Sequence, residues 1–213
     1  MNLYYSNRAQ EYERVYYRND EVRQKEQAAI RESMITLFVN KHVLEVACGT
    51  GYWTQFVAQD VSHITAIDVS DEVIKIAVEK NLPSNKVLFQ QANAYELNKV
   101  QGNFNASFAN YWFSHIPKNE IEKFLKQLHA RVGTGAQIFM ADNVYIESIG
   151  GSLIEKAGSK DTYKLRTLEN GSQYEVIKNY YNEAELREIF TPYARNLDIT
   201  IGQCFWWISY LVK

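Results

Sequence analysis

Short apolar, β-branched runs alternate with amphipathic stretches through the middle of the chain. Residues 43–47, 63–68, 86–90, 104–111 and 136–141 have the length and composition of buried strands. Between them, helix-compatible segments follow at 53–59, from Asp71 onward, and from Pro117 through Ile121, Phe124, Leu125 and Leu128, spaced three and four apart. Strand and helix in strict turn predict a mostly parallel sheet with helices on both faces. Before this core, residues 3–39 read as helical. Ala9, Tyr12, Val15 and Tyr16 share one face, and Asp20 caps a second helix that ends with Met34, Ile35, Leu37 and Phe38. Residues 144–181 break the alternation. There, 162–168 and 172–179 flank Glu169-Asn170-Gly171, and Asn-Gly between β-capable runs predicts a hairpin. Asn182 then caps a helix through Phe190, stopped at Thr191-Pro192, and 197–213 reads as two β segments bending near 202–204.

The first predicted strand runs into Glu45-Val46-Ala47-Cys48-Gly49-Thr50-Gly51. Glycines at a strand-to-helix turn let the backbone turn sharply and approach a ligand, and the helix that follows aims its orphan N–H groups at the same place. A dinucleotide fingerprint would have a third glycine where Thr54 stands, which argues against a nicotinamide oxidoreductase. Asp68 ends the second strand 19 positions after Gly49, close to the ~20 expected of an acid that accepts both hydroxyls of a ribose. Ser70, not Asp68, is the better cap for the helix from Asp71.

The acid-x-x-x-Gly-x-Gly pattern resembles motif I of the class I S-adenosylmethionine-dependent methyltransferases, and the likeness extends over residues 40–145. It implies an α/β fold with a doubly wound, mostly parallel seven-stranded sheet, Rossmann-like, carrying an N-terminal helical lid (1–39), a cofactor-binding core (40–143), an inserted β-hairpin after strand five (144–181), and a C-terminal helix and β pair (182–213) in one domain. It also implies S-adenosylmethionine as methyl donor and S-adenosylhomocysteine as product. Glu45 and the backbone at Ala47, Gly49, Thr50 and Gly51 would lie at the cofactor's amino acid part, and Asp68 with Val69 at its ribose. Asn93 and Ala94 would meet the adenine, although the family usually has an acid at the position of Asn93, and Asn110 would close the set. Tyr5 and Tyr12 match a lid pattern, with plain packing of the arm as the rival.

The predicted fourth strand ends in Asn110-Tyr111-Trp112-Phe113-Ser114-His115 at the ligand edge of the sheet. His115 is the candidate general base, since an unperturbed imidazole titrates near 6.5, and Tyr111 a candidate to orient the acceptor; a structural histidine and a buried tyrosine are the alternatives. Cys48 reads as packing.

Composition refines this picture. With 46% hydrophobic and 23% charged residues over 213 positions, the chain suits a soluble globular protein. A net charge of −2 offers no global attraction to nucleic acid or an anionic membrane. No apolar run approaches the ~20 residues of a membrane span, no signal-peptide core is apparent, and two cysteines suggest neither a disulfide framework nor a metal site, so a cytoplasmic location is expected. After strand four there is no Asn/Asp-Pro-Pro-aromatic sequence of the kind nucleic-acid amino methyltransferases carry, and no paired-glutamate loop of the protein-arginine type. The expectation is therefore a small organic acceptor, with a homodimer left open. A cofactor-binding partner protein without turnover is the alternative.

Overall fold

A computed structural model describes residues 8–147 and 151–213. The strands in chain order are β1 (His42–Val46), β2 (His63–Asp68), β3 (Val87–Gln91), β4 (Ala106–Asn110), β5 (Gln137–Asn143), β6 (Ile154–Glu155), β7 (Thr162–Thr167), β8 (Gln173–Ile177), β9 (Ala194–Ile201) and β10 (Phe205–Val212). The α-helices are α1 (Glu21–Phe38), α2 (Thr54–Val57), α3 (Asp71–Glu79), α4 (Ile121–Val132) and α5 (Glu183–Phe190). Seven strands form one sheet in the order β3-β2-β1-β4-β5-β10-β9, in which only the pairings of β10 are antiparallel. This is the doubly wound, Rossmann-like sheet the alternation predicts.

The strand order reverses between β1 and β4, which lie side by side with Glu45 opposite Phe108. A crevice opens at such a switch point beyond the carboxyl ends of the strands, because connections leave in opposite directions there. Alternation along the strands fills both faces. Val43, Phe108 and Phe139 pack under Ile30, Met34 and Phe38 of α1. Leu44, Ala109 and Met140 face Phe124, Leu125 and Leu128 of α4 and Phe190 of α5.

Capping residues set the helix starts as expected. Asp20 accepts from the Arg23 amide, Ser70 from Val73, and Asn182 forms a reciprocal capping box with Glu185. Glu26 of α1 does a long-range version of the same job: its carboxylate accepts from the amides of Gln203, Cys204 and Phe205 at 2.7–3.0 Å. That contact ties the first helix to the turn between the last two strands. At Gly202 any Cβ would stand 2.5 Å from this carboxylate, so the turn and the helix leave no room for a side chain.

Four local expectations change. The helix expected over 53–59 contracts to the four residues of α2, because Tyr52 and Trp53 are spent in the aromatic cluster under the N-terminal arm. Residues Ala9–Tyr17 form a 3-10 helix rather than an α-helix. Strand β5 extends through Asn143 because β10 pairs with it that far, Phe205 standing opposite Asn143. The 144–181 segment holds the expected hairpin, β7 and β8 around Glu169-Asn170-Gly171, with β6 added as a third strand.

Candidate active site

Three residues at alternate positions of the β1–α2 turn have left-handed backbones: Ala47 (φ 56°), Gly49 (φ 55°) and Gly51 (φ 74°). The turn therefore curls into a concave run of backbone facing the switch-point crevice. Gly51 has a second constraint, since a Cβ there would meet Ala77 Cβ and Phe89 Cζ at 3.2 Å. Thr54, at the place a third glycine would occupy, donates its hydroxyl to Glu45 Oε2 at 2.6 Å. Glu45 is 2% exposed, and burial pushes its carboxyl up to about 8, against the pull of the Thr54 hydrogen bond. Asp68 reaches back to the same turn. Its Oδ2 accepts from the Gly49 amide at 2.9 Å and its Oδ1 from Ser70 at 3.0 Å, while burial raises its pKa. Cys48 is a buried free thiol whose pKa burial drives well up, so it stays protonated and inert.

The next strand ends complete the edge. Val69 follows Asp68 at the surface, and Ala94 is buried beneath the loop after β3. Asn93 is exposed and its side-chain carbonyl accepts from the Tyr95 amide at 3.0 Å, closing an Asx turn. Asn110 is 6% exposed; its amide donates to Met34 Sδ at 3.1 Å, and its Oδ1 is buried with no hydrogen-bond partner among the described residues. Tyr111 follows in a left-handed conformation (φ 57°), unusual for an aromatic residue, and its backbone N–H donates a hydrogen bond to Ala141 O at 2.7 Å.

The N-terminal arm lies across this edge. Glu13 accepts from Thr50 Oγ1 at 2.7 Å and pairs with Lys80 at 2.7 Å, bridging motif I and the end of α3. Tyr16 stacks on Tyr52, ring centroids 3.7 Å apart and 3° from parallel, and meets Trp53 and Tyr111 at 5.9 and 5.8 Å. Of the expected lid tyrosines, Tyr5 lies outside the described residues and Tyr12 is within the 3-10 helix. Tyr16 and Glu13 make the arm's contacts instead. No local signal distinguished them, because their partners are 36 or more positions away in the sequence.

Beyond the ends of β4 and β5 is a cavity of about 390 Å³, walled by the arm and the inserted hairpin, with Tyr111, His115 and Asn143 among its lining. The hairpin is anchored there by a buried ion pair. Lys178 Nζ donates to Asp142 Oδ1 at 2.9 Å and to Ser114 Oγ at 2.6 Å, and the other Asp142 oxygen accepts from the Ser114 amide at 2.8 Å. Asn179 adds bonds to Ile116 O and Asp161. Against the cost of burial, the Lys178 charge holds Asp142 down at about 2, while burial and then the Lys178 charge hold His115 at about 3 despite the opposing pull of Asp142. His115 Nδ1 lies 2.6 Å from Ile177 O, which only accepts, so Nδ1 carries the proton and the ring is neutral. Its titration near 6.5, the premise for a general base, does not hold in this environment. The N-terminal arm also reaches the hairpin: Arg14 pairs with Glu169, and the Glu169 amide lies 3.4 Å from Glu11 Oε1.

Among the described residues no group of three His, Cys, Asp or Glu is placed to hold a metal, and no helix is long and apolar enough to cross a membrane.

A family model described as a methyltransferase domain matches residues 43–135, the span from β1 to the end of α4. The phosphoethanolamine N-methyltransferase 1 of Arabidopsis thaliana is 23% identical over 118 residues, covering 54% of this chain and 24% of that protein. The demethylmenaquinone methyltransferase of Listeria monocytogenes serotype 4a (strain HCC23) is 25% identical over 119 residues, covering 53% and 49%. The chain thus spans a quarter to a half of the length of these curated relatives. Among solved structures, the DhpI–SAH complex superimposes with a TM-score of 0.75 at 25% identity, over 97% of this chain and 92% of that one.

Proposed function

We propose that the chain, as a class I S-adenosylmethionine-dependent methyltransferase with S-adenosylmethionine as cofactor, methylates a small organic acceptor bound in the cavity between the N-terminal arm and the hairpin. The observation that carries this reading is the position of that cavity. It adjoins the strand-end crevice, and its volume of about 390 Å³ suits a small molecule. Two relatives are named for small acceptors, phosphoethanolamine and demethylmenaquinone.

The residues present suit the cofactor. The left-handed turn at Ala47, Gly49 and Gly51 offers backbone to its amino acid part, and Asn110 Oδ1 is a buried acceptor in want of a donor. Glu45 braces that turn through Thr54, and Thr50 ties it to the lid. Asp68, already aimed by Gly49 and Ser70, has lone pairs left for ribose hydroxyls beside Val69. Asn93 and the Ala94 backbone fall to the adenine, where Asn93 would share its carbonyl with Tyr95. When bound, S-adenosylmethionine supplies an activated sulfonium methyl, whose transfer is an in-line displacement. The work left to the chain is alignment and exclusion of water. Tyr16 and Glu13 close the lid, while Tyr111, fixed by its strained backbone, and neutral His115 orient the acceptor. With its pKa near 3, His115 serves as a hydrogen-bonding wall and is too weak a base to strip an amine or alcohol.

Calorimetric titration with S-adenosylmethionine, S-adenosylhomocysteine and NADH, followed by assay of S-adenosylhomocysteine release over a panel of small acceptors, tests the proposal. Binding of both sulfur ligands but not NADH, with turnover on at least one acceptor, is expected. Binding without turnover on any acceptor would favour a cofactor-binding partner protein, and absence of binding would refute the site.

A further inference from the structure

One polar residue interrupts the apolar stripe that α1 turns inward. Ile30, Met34 and Phe38 are fully buried, and Gln27, three positions before Ile30, is 1% exposed. Its neighbours fix the helix in place. Glu26 accepts from the amides of Gln203, Cys204 and Phe205, and Arg23, paired with Asp20, lies over the Phe205 ring. Gln27 lines the cavity beyond β4 and β5, yet its Oε1 has no hydrogen-bond partner among the described residues. A buried amide carbonyl left unbonded destabilises the fold, and a methionine of similar length would fill the position without that cost.

A second amide lines the same cavity. Asn143 ends β5, and both its Nδ2 and its backbone N–H donate to Asp142 Oδ1, at 3.0 and 2.8 Å. Asp142 is locked in turn by Lys178 and the Ser114 amide. Turning the Asn143 amide over would set its oxygen against that carboxylate, so the nitrogen is committed and the carbonyl is the end left for a ligand. Two carbonyls at one cavity accept and cannot donate, so a group that satisfies both brings two hydrogens of its own. A primary amine does so and keeps its lone pair for attack. An alcohol has one O–H, must lose it to become a strong nucleophile, and finds in neutral His115 too weak a base for that step.

We propose that Gln27 and Asn143 position the acceptor's nucleophile, and that this nucleophile is a primary amine bound as its free base. This rests on the reading of the cavity as the acceptor site. The two N–H groups donate to Gln27 Oε1 and Asn143 Oδ1, which leaves the lone pair directed away from both carbonyls. That pair forms the N–C bond as the donor's C–S bond breaks, the electrons of the broken bond stay on sulfur, and the N-methylammonium product gives its extra proton to solvent. Tyr111 and Phe205, whose ring centroids are 5.3 Å apart, add an aromatic wall suited to an apolar body behind the amine.

The test is an assay of the whole chain with S-adenosylmethionine and matched acceptors, benzylamine with benzyl alcohol and ethanolamine with ethylene glycol. It reads S-adenosylhomocysteine release, and the methylated atom by mass spectrometry. At least one amine is expected to be methylated at nitrogen, with kcat/KM about tenfold or more above that of its matched alcohol. Gln27→Met and Asn143→Ala are each expected to raise KM for that amine about tenfold or more while leaving the S-adenosylhomocysteine Kd unchanged. In urea unfolding without ligands, Gln27→Met is expected to match or exceed the wild type, because it removes an unbonded carbonyl from the core. A lower midpoint would make Gln27 a structural residue and overturn its role. Methylation of an alcohol in preference to its amine, or an unchanged amine KM in both variants, would overturn the proposal and leave the methyl-transfer reading intact. Failure of S-adenosylhomocysteine to bind, or no turnover in either series, would instead overturn that reading and the proposal with it.

Discussion

The two sides of the ligand crevice are built in different ways. The side proposed here for the cofactor, from Glu45 to Asp68, is made of a backbone turn and side chains that brace it: Thr54 on Glu45, and Asp68 on Gly49 and Ser70. The side proposed for the acceptor is made of side chains delivered from far apart and locked by a buried ion pair, Lys178 with Asp142, 36 positions away. The first arrangement can be rigid before any ligand arrives, because short-range geometry specifies it. The second can be changed one residue at a time without disturbing the turn, which is how one fold accommodates different acceptors.

Several substitutions would break or sharpen that contrast. The largest effect is expected at the hairpin anchor. Lys178→Ala strands Asp142 with no exposed surface and should destabilise the protein by about 3–5 kcal/mol in urea unfolding, whereas replacing both partners by apolar residues should recover much of the loss. On the cofactor side, Gly49→Val forces a branched residue into a left-handed backbone, a strain of about 1–2 kcal/mol. It should abolish S-adenosylhomocysteine binding in calorimetry, and retained binding would remove the turn from the site. Asp68→Ala should weaken that binding by about 1–3 kcal/mol, and an unchanged Kd would reduce Asp68 to a brace for the turn.

Acid and base should separate the two sides as well. His115 is held neutral, with its pKa lowered from 6.5 to about 3. Below 6.5 the unfolded chain binds a proton that the folded chain refuses, so stability falls as pH drops from 6.5 toward 3, by up to about 1.4 kcal/mol per pH unit. Asp142 adds to the loss between 3.8 and about 2. Glu45, raised from 4.5 to about 8, acts in the opposite sense: the folded state keeps a proton the unfolded chain gives up, and stability falls as pH rises from 4.5 toward 8. Urea midpoints across this range should show a shallower acid-side slope in His115→Gln, the remainder coming from His129, which burial lowers to about 4, and from Asp142, and a shallower alkaline-side slope in Glu45→Gln, where burial also raises Asp68. The smallest effect is expected at the latch. The Arg14–Glu169 side chains are 66% and 60% exposed, so Arg14→Ala should change stability by less than about 1 kcal/mol, as read by thermal unfolding.

The sequence by itself determined the sheet, the helix caps and the glycine turn, because each depends on neighbours within a few positions. Periodicity marks a strand, Ser70 and Asn182 cap the helices that follow them, and two glycines permit one turn. It also showed that Thr54 breaks a dinucleotide fingerprint, although not that the same hydroxyl reaches Glu45. The tertiary structure decided the rest. It chose Tyr16 and Glu13 as the contacts of the N-terminal arm, buried His115 until its basicity was gone, and gave Asp142 to Lys178. Those outcomes depend on burial and on charges brought together across the sheet edge, and neither quantity exists until the chain has folded.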